Sequence, residues 1–79
     1  MPYINKIFRD RSQFHPSDEG ELNYAITTLL LNYLDFMGPT YKTYNGMIGV
    51  LECAKLELYR RMVAPYEDEK CAENGDVYP

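Results

Sequence analysis

EGELNYAITTLLLNYLDFM, residues 19–37, decides the fold class. Leu22, Ile26, Leu29, Leu30, Tyr33, Leu34 and Met37 recur at steps of three and four, the spacing of a helix with an apolar side. Asp18 is placed to cap its N-terminus, with Glu21 three residues on to complete a capping box. Glu19 and Glu21 suit the positive end of the helix dipole. Gly38-Pro39 ends the segment, because glycine fits a left-handed cap and proline does not continue the helix. Tyr24, Ala25, Leu31 and Phe36 extend the apolar surface beyond the main stripe. Asn23, Thr27, Thr28, Asn32 and Asp35 are left as a narrow polar strip. A helix apolar nearly all round is normally buried. One partner helix does not cover that circumference, so the sequence points to a homo-oligomer.

The second decisive stretch is YNGMIGVLECAKLELYRRMVAPY, residues 44–66. It reads as a helix preceded by a connection over 39–45, with Asn45 or Thr43 as its cap. Gly46 and Gly49 weaken its first turns by about 1 kcal/mol each relative to alanine, and their usual benefit is close approach of a backbone or ligand. Ile48, Leu51, Leu58 and Met62 form a stripe expected to face the first helix, with Met47 and Ala54 beside it and Cys53 as a small core residue. Pro65 lacks an amide donor and is expected to kink or end this helix. A short third helix starting with Pro65 at its first position would run through Cys71-Ala72-Glu73, with Asn74-Gly75 as its cap and 74–79 as a tail. Residues 1–18 read as an N-terminal arm in which Ile4, Ile7, Phe8 and Phe14 form a short amphipathic turn. The expected architecture is all-α and a single domain over 1–79: two main antiparallel helices and a short C-terminal one, completed by homo-oligomerisation. Neither helix keeps a heptad pattern long enough for an independent coiled coil.

Composition narrows the function classes. A chain of 79 residues buries only roughly 60–65% of its unfolded surface, and small domains compensate with disulfides, metals or self-association. The two cysteines, Cys53 and Cys71, are not in a CxxC spacing, and His15 is the only histidine, so neither a disulfide framework nor a metal centre is expected. Met1 to Asp10 holds no long apolar core, so no secretory leader is expected, and a reducing cytosol is the expected compartment. No apolar run is long enough for a membrane partner. The net charge of −4 argues against general DNA or RNA binding. That charge resides in the C-terminal stretch, where Glu67, Asp68, Glu69, Glu73 and Asp76 face Lys70 alone. No phosphate-binding glycine loop and no nucleophile–base–orienter set is present, so neither catalytic residues nor a cofactor are expected and the protein reads as a non-enzyme. Eight tyrosines suit wet interfaces, since each joins an apolar ring to a hydroxyl that seeks a partner.

The candidate ligand-binding residues are Asn23, Glu52, Lys55, Tyr59, Arg60, Arg61 and Tyr66. Glu52, Lys55 and Tyr59 lie at steps of three and four and share a helix face. Glu52 would accept hydrogen bonds from a base edge or ribose, Lys55 would neutralise a phosphate, and Tyr59 would stack on a base. The plain structural alternative is a solvated Glu52–Lys55 pair. Arg61 has Glu57 four residues back as a natural partner, whereas Arg60 has no acidic residue at that step. Both arginines suit a helix C-terminus, and both have the planar fork that clamps phosphate. Tyr66 would stack on a ligand or pack under the last turn, and Asn23 would supply an amide.

Five blocks carry a family resemblance: MPYI at 1–4, GELNYAIT at 20–27, IGVLECAKLELYRR at 48–61, VAPYEDEK at 63–70 and ENGDVY at 73–78. On them the chain resembles a family of small bacteriophage and prophage proteins. The resemblance brings no catalytic assignment. It implies a viral accessory gene expressed in the host bacterial cytoplasm. By analogy of class, small oligomeric phage proteins counter host defence by sequestering a nucleotide immune signal, such as a cyclic oligonucleotide or an ADP-ribose relative, without cleaving it. The function expected on this basis is such sequestration in a pocket at a subunit interface. The alternatives are a protein-binding inhibitor acting on a host enzyme through the acidic C-terminal face, and a structural accessory with no small ligand.

Overall fold

The computed structural model describes residues 3–8 and 15–79. The fold is all-α: a single 3-10 turn at Lys6–Phe8 precedes helices α1 (Glu19–Met37), α2 (Tyr41–Leu58) and α3 (Ala64–Asn74), with a π-helical turn at Tyr59–Val63 between the last two. No strand is present among the described residues. The chain divides into two units, Met1–Tyr44 and Asn45–Pro79, so that α2 begins in one and continues in the other. Phe14 lies outside the described residues, and the amphipathic arm expected there is represented only by the Lys6–Phe8 turn, where Asn5 Oδ1 accepts from the Ile7 amide.

In the first unit, α1 starts and stops at its signals. The Glu21 amide donates to Asp18 Oδ1 at 2.8 Å, so Asp18 is the N-cap. The Glu21 carboxylate reaches back one residue further than a capping box requires, accepting from the Ser17 amide and hydroxyl. Gly38, at φ +92°, closes the helix and donates its amide to the Leu34 carbonyl.

Helix α2 begins earlier than the sequence suggested. Thr40 is its cap: Thr40 Oγ1 accepts from the Thr43 amide, and the two threonine hydroxyls bond at 3.1 Å. This corrects the 39–45 connection and the capping roles given to Asn45 and Thr43. Only Gly38-Pro39-Thr40 separates the two helices.

The larger correction concerns the core. Among the described residues no apolar side chain is buried; the two buried residues are Glu21 and Thr43, both at helix starts. Of the α2 stripe, Ile48, Leu58 and Met62 are exposed and Leu51 is half-buried, while Cys53 is exposed rather than a core residue. Three-and-four spacing decides which residues share a face, but it does not supply the surface that covers the face. A Cβ added at Gly46 or Gly49 would meet nothing within 4 Å, so neither glycine serves a close approach within the described residues.

As expected from Pro65, α2 ends before it, at Leu58, and a new helix starts around it, but a π-helical turn rather than a loop joins the two. The missing amide of Pro65 would orphan the Arg61 carbonyl in a regular α-helix. The chain instead widens over one turn, and the Ala64 amide bonds the Tyr59 carbonyl five residues back. Pro65 then sits in the first turn of α3, and Gly75 at φ +92° ends that helix with its amide on the Cys71 carbonyl, as the sequence predicts.

Replacing Asp18 with alanine removes the side-chain oxygen that caps α1. Asp18→Ala is expected to lower unfolding free energy by about 1 kcal/mol, with Asp18→Asn close to wild type, measured by urea unfolding at fixed protein concentration.

Candidate functional site

The second unit carries an open groove of about 610 Å³ between α3 and the C-terminal segment. It is lined on the helical side by Tyr59, Tyr66, Glu67, Asp68 and Lys70, and on the tail side by Asp76, Val77 and Tyr78. Its volume lies within the range of small-ligand clefts. Two local features build it. Gly75 turns the tail beside α3, where the Tyr78 amide donates to Asp76 Oδ1 at 2.9 Å. The π-turn fixes the other wall. Residues eight apart on a regular α-helix point about 80° apart, and absorbing one extra residue brings them to within about 20°. Tyr59 and Glu67 stand eight apart across that turn, and the Tyr59 hydroxyl donates to Glu67 Oε1.

The hydrogen bond to the Glu67 carboxylate, and then its negative charge, raise the Tyr59 phenol above its ordinary value. The sign is that of a group that must lose its proton to become charged: the contact is intact below the ordinary tyrosine range and is lost as pH rises through the raised value. The Lys70 ammonium lies 5.6 Å from the centre of the Tyr66 ring and also pairs with Glu73 at 3.2 Å. The Tyr66 face thus already accepts a cation from its own helix.

Of the seven residues proposed from sequence, the groove brings together Tyr59 and Tyr66. Lys55 pairs with Glu52 at 3.1 Å as an exposed ion pair outside it. Arg61 pairs with Glu57 at 3.4 Å as expected from the four-residue step. Arg60 is corrected: it too pairs with Glu57, three residues back, at 2.6 Å. The lone four-residue criterion missed this partner, although the three-residue step is an equal neighbour on a helix. These are exposed ion pairs, each worth about 0–1 kcal/mol and readily exchanged for another anion. Asn23 belongs to the other unit, on α1, where its Oδ1 accepts from the Thr27 hydroxyl at 3.1 Å. Sequence reasoning did not assign Val77 and Tyr78 to a site, and it read Glu67, Asp68 and Asp76 as part of the acidic C-terminal face. The Asn74-Gly75 cap was the available signal that the tail turns here.

The groove therefore presents three tyrosines and three carboxylates, Glu67, Asp68 and Asp76, against one lysine that is already partnered. Among the described residues no group of three His, Cys, Asp or Glu side chains is arranged to hold a metal ion, and no helix is long and apolar enough to cross a membrane.

A family model described as a domain of unknown function, DUF6899, matches residues 1–77. The chain belongs to this family. The match to DUF6899 spans both units and ends within the tail that walls the groove. No curated protein and no solved structure matches the chain.

Glu67→Gln is expected to return Tyr59 toward the ordinary tyrosine range while leaving the other tyrosines unchanged, read by pH titration of ring resonances in protein carrying ¹³C-labelled tyrosine. Pro65→Ala, which removes the reason for the π-turn, is expected to shift the same resonance in the same direction.

Proposed function

We propose that this protein acts by non-catalytic binding, as a self-associating chain that captures a basic segment of a partner protein in its acidic tyrosine groove. The carrying observation is the lining: Tyr59, Tyr66 and Tyr78 with Glu67, Asp68 and Asp76. Carboxylates attract arginine and lysine side chains, and tyrosine faces add cation–π attraction. Lys70 over the Tyr66 ring is an internal example of that contact. Self-association is supported by the absence of any buried apolar side chain among the described residues. In a bacteriophage or prophage setting, within the host cytoplasm, such a protein would inhibit a host enzyme by occupying a basic surface.

Sequestration of a phosphate-bearing nucleotide signal is the second reading. It is favoured by the stacking faces of Tyr59 and Tyr66, and by Lys55, Arg60 and Arg61, whose exposed ion pairs exchange easily. In this reading the phosphates lie on the arginines, and the acidic groove takes amino and ribose groups. Three carboxylates repel a phosphate placed inside the groove, which is why the basic segment ranks first.

Calorimetry against arginine- and lysine-rich peptides, cyclic di- and trinucleotides and ADP-ribose derivatives separates the two. Saturable peptide binding that falls with salt is expected. Joint Glu67→Gln, Asp68→Asn and Asp76→Asn substitution is expected to weaken it about tenfold, or 1.4 kcal/mol. Nucleotide binding lost on joint Lys55→Ala, Arg60→Ala and Arg61→Ala substitution, with unaltered nucleotide recovered after denaturation, would install the second reading instead. Binding of neither class overturns both.

A further inference from the structure

One ring face in the groove already carries a cation from its own helix. On α3, Tyr66, Lys70 and Glu73 follow at steps of four and three and fall within an arc of about 60°. Among the described residues Lys70 is the one cation that lines the groove. Its Nζ stands 5.6 Å from the centre of the Tyr66 ring and 3.2 Å from Glu73 Oε2. Glu73 does not line the groove, so the ammonium sits at the rim, between a ring inside and a carboxylate outside. Among the described residues Lys70 forms no ion pair with Glu67, Asp68 or Asp76, so the carboxylates of the groove are not neutralised from within.

We propose that the Tyr66 face is the position in the groove that takes a partner's cationic side chain, and that Lys70 is its internal stand-in, displaced onto Glu73 alone when the partner binds. The inference deepens the basic-segment reading of the groove and rests on it. Three points carry it. First, the contact a partner's cation would make on a tyrosine is already made once here, at Tyr66, and among the described residues at neither Tyr59 nor Tyr78. Second, two cations on one side of a ring repel each other, so an incoming cation must move Lys70 aside. Third, that displacement is inexpensive: Lys70 and Glu73 are half-exposed, and Lys70 keeps its carboxylate when it leaves the ring, so no charge is stranded. Arginine is the better displacer, since its planar, weakly hydrated guanidinium stacks flat on an aromatic face. Lys70 therefore acts as a built-in competitor that lowers the affinity of the groove by about two- to fivefold, the worth of an exposed cation–π contact.

The probe is a peptide of alternating arginine and glycine, titrated calorimetrically into the full chain. Lys70→Gln is expected to tighten binding about threefold, because it removes the competitor. Removing a positive charge near the groove would also tighten binding with no part for the ring, so the same substitution is made beside Tyr66→Leu. There most of the gain is expected to vanish, since the face being competed for is gone. Equal tightening in both backgrounds overturns the inference, as does no tightening by Lys70→Gln in the wild-type background. A second measurement needs no substitution and decides should a variant not fold. The Tyr66 ring current holds the ε-methylene proton resonances of Lys70 upfield, and saturation with the peptide is expected to return them to the position of an exposed lysine. Resonances that stay upfield at saturation overturn the inference while peptide binding by the groove stands. No binding of the peptide by wild type or by Lys70→Gln overturns the groove reading and this inference with it, so the two failures are distinguishable.

Discussion

Ordering a backbone costs about 1–2 kcal/mol per residue, and a single copy of this chain sets no buried apolar side chain among its described residues against that cost. The caps at Asp18 and Thr40 define where helices begin, but a cap contributes only about 1 kcal/mol. In proteins most of the stability of helices such as these, of 19 and 18 residues, comes from packing of an apolar face. The fold therefore depends on covering the apolar faces of α1 and α2. Proposed self-association is the physical answer to that constraint, and it precedes any question about ligands.

The second governing feature is small: one missing amide at Pro65. A proline inside a helix normally removes a hydrogen bond and kinks the chain. Here the π-turn absorbs the defect over Tyr59–Val63 and rotates α3 relative to the helical path before it. Tyr59 and Glu67 come onto one side, and the groove acquires a wall that a regular helix would have turned away. Such single π-turns recur at functional sites because they re-aim side chains without breaking the helix. The groove is also acidic for a local reason. Glu67 and Asp68 sit in the first turns of α3, and their position there sets the charge of the helical wall of the groove.

The arginines illustrate the difference between residue type and available chemistry. Arg60 and Arg61 have the right fork for phosphate, yet both converge on Glu57. Their pairs are weak enough to exchange, so they remain open to an anion, but they do not face the tyrosines of the groove together. The site is therefore argued from Tyr59, Tyr66, Tyr78 and the carboxylates beside them, and Arg60 and Arg61 stand outside it.

Much of the helical layout was legible in sequence, because capping and periodicity are local. Asp18, Gly38-Pro39, Pro65 and Asn74-Gly75 each act over one turn of chain, and each marks the boundary it should. The start of α2 was misplaced, because Thr40 and Thr43 compete as caps and only the hydroxyl geometry chooses between them. Of the candidate site, Tyr59 and Tyr66 were legible as aromatic residues flanking the proline, but Tyr78 and Asp76 were not, since their role depends on where Gly75 sends the tail. The sequence by itself determined the all-α class, the helix ends and the excess of apolar faces, because these arise from short-range hydrogen bonding and the 3.6-residue period. Only the tertiary structure decided that no apolar side chain among the described residues is buried and that Tyr59 meets Glu67, because exposure and a π-register both depend on where other atoms come to rest.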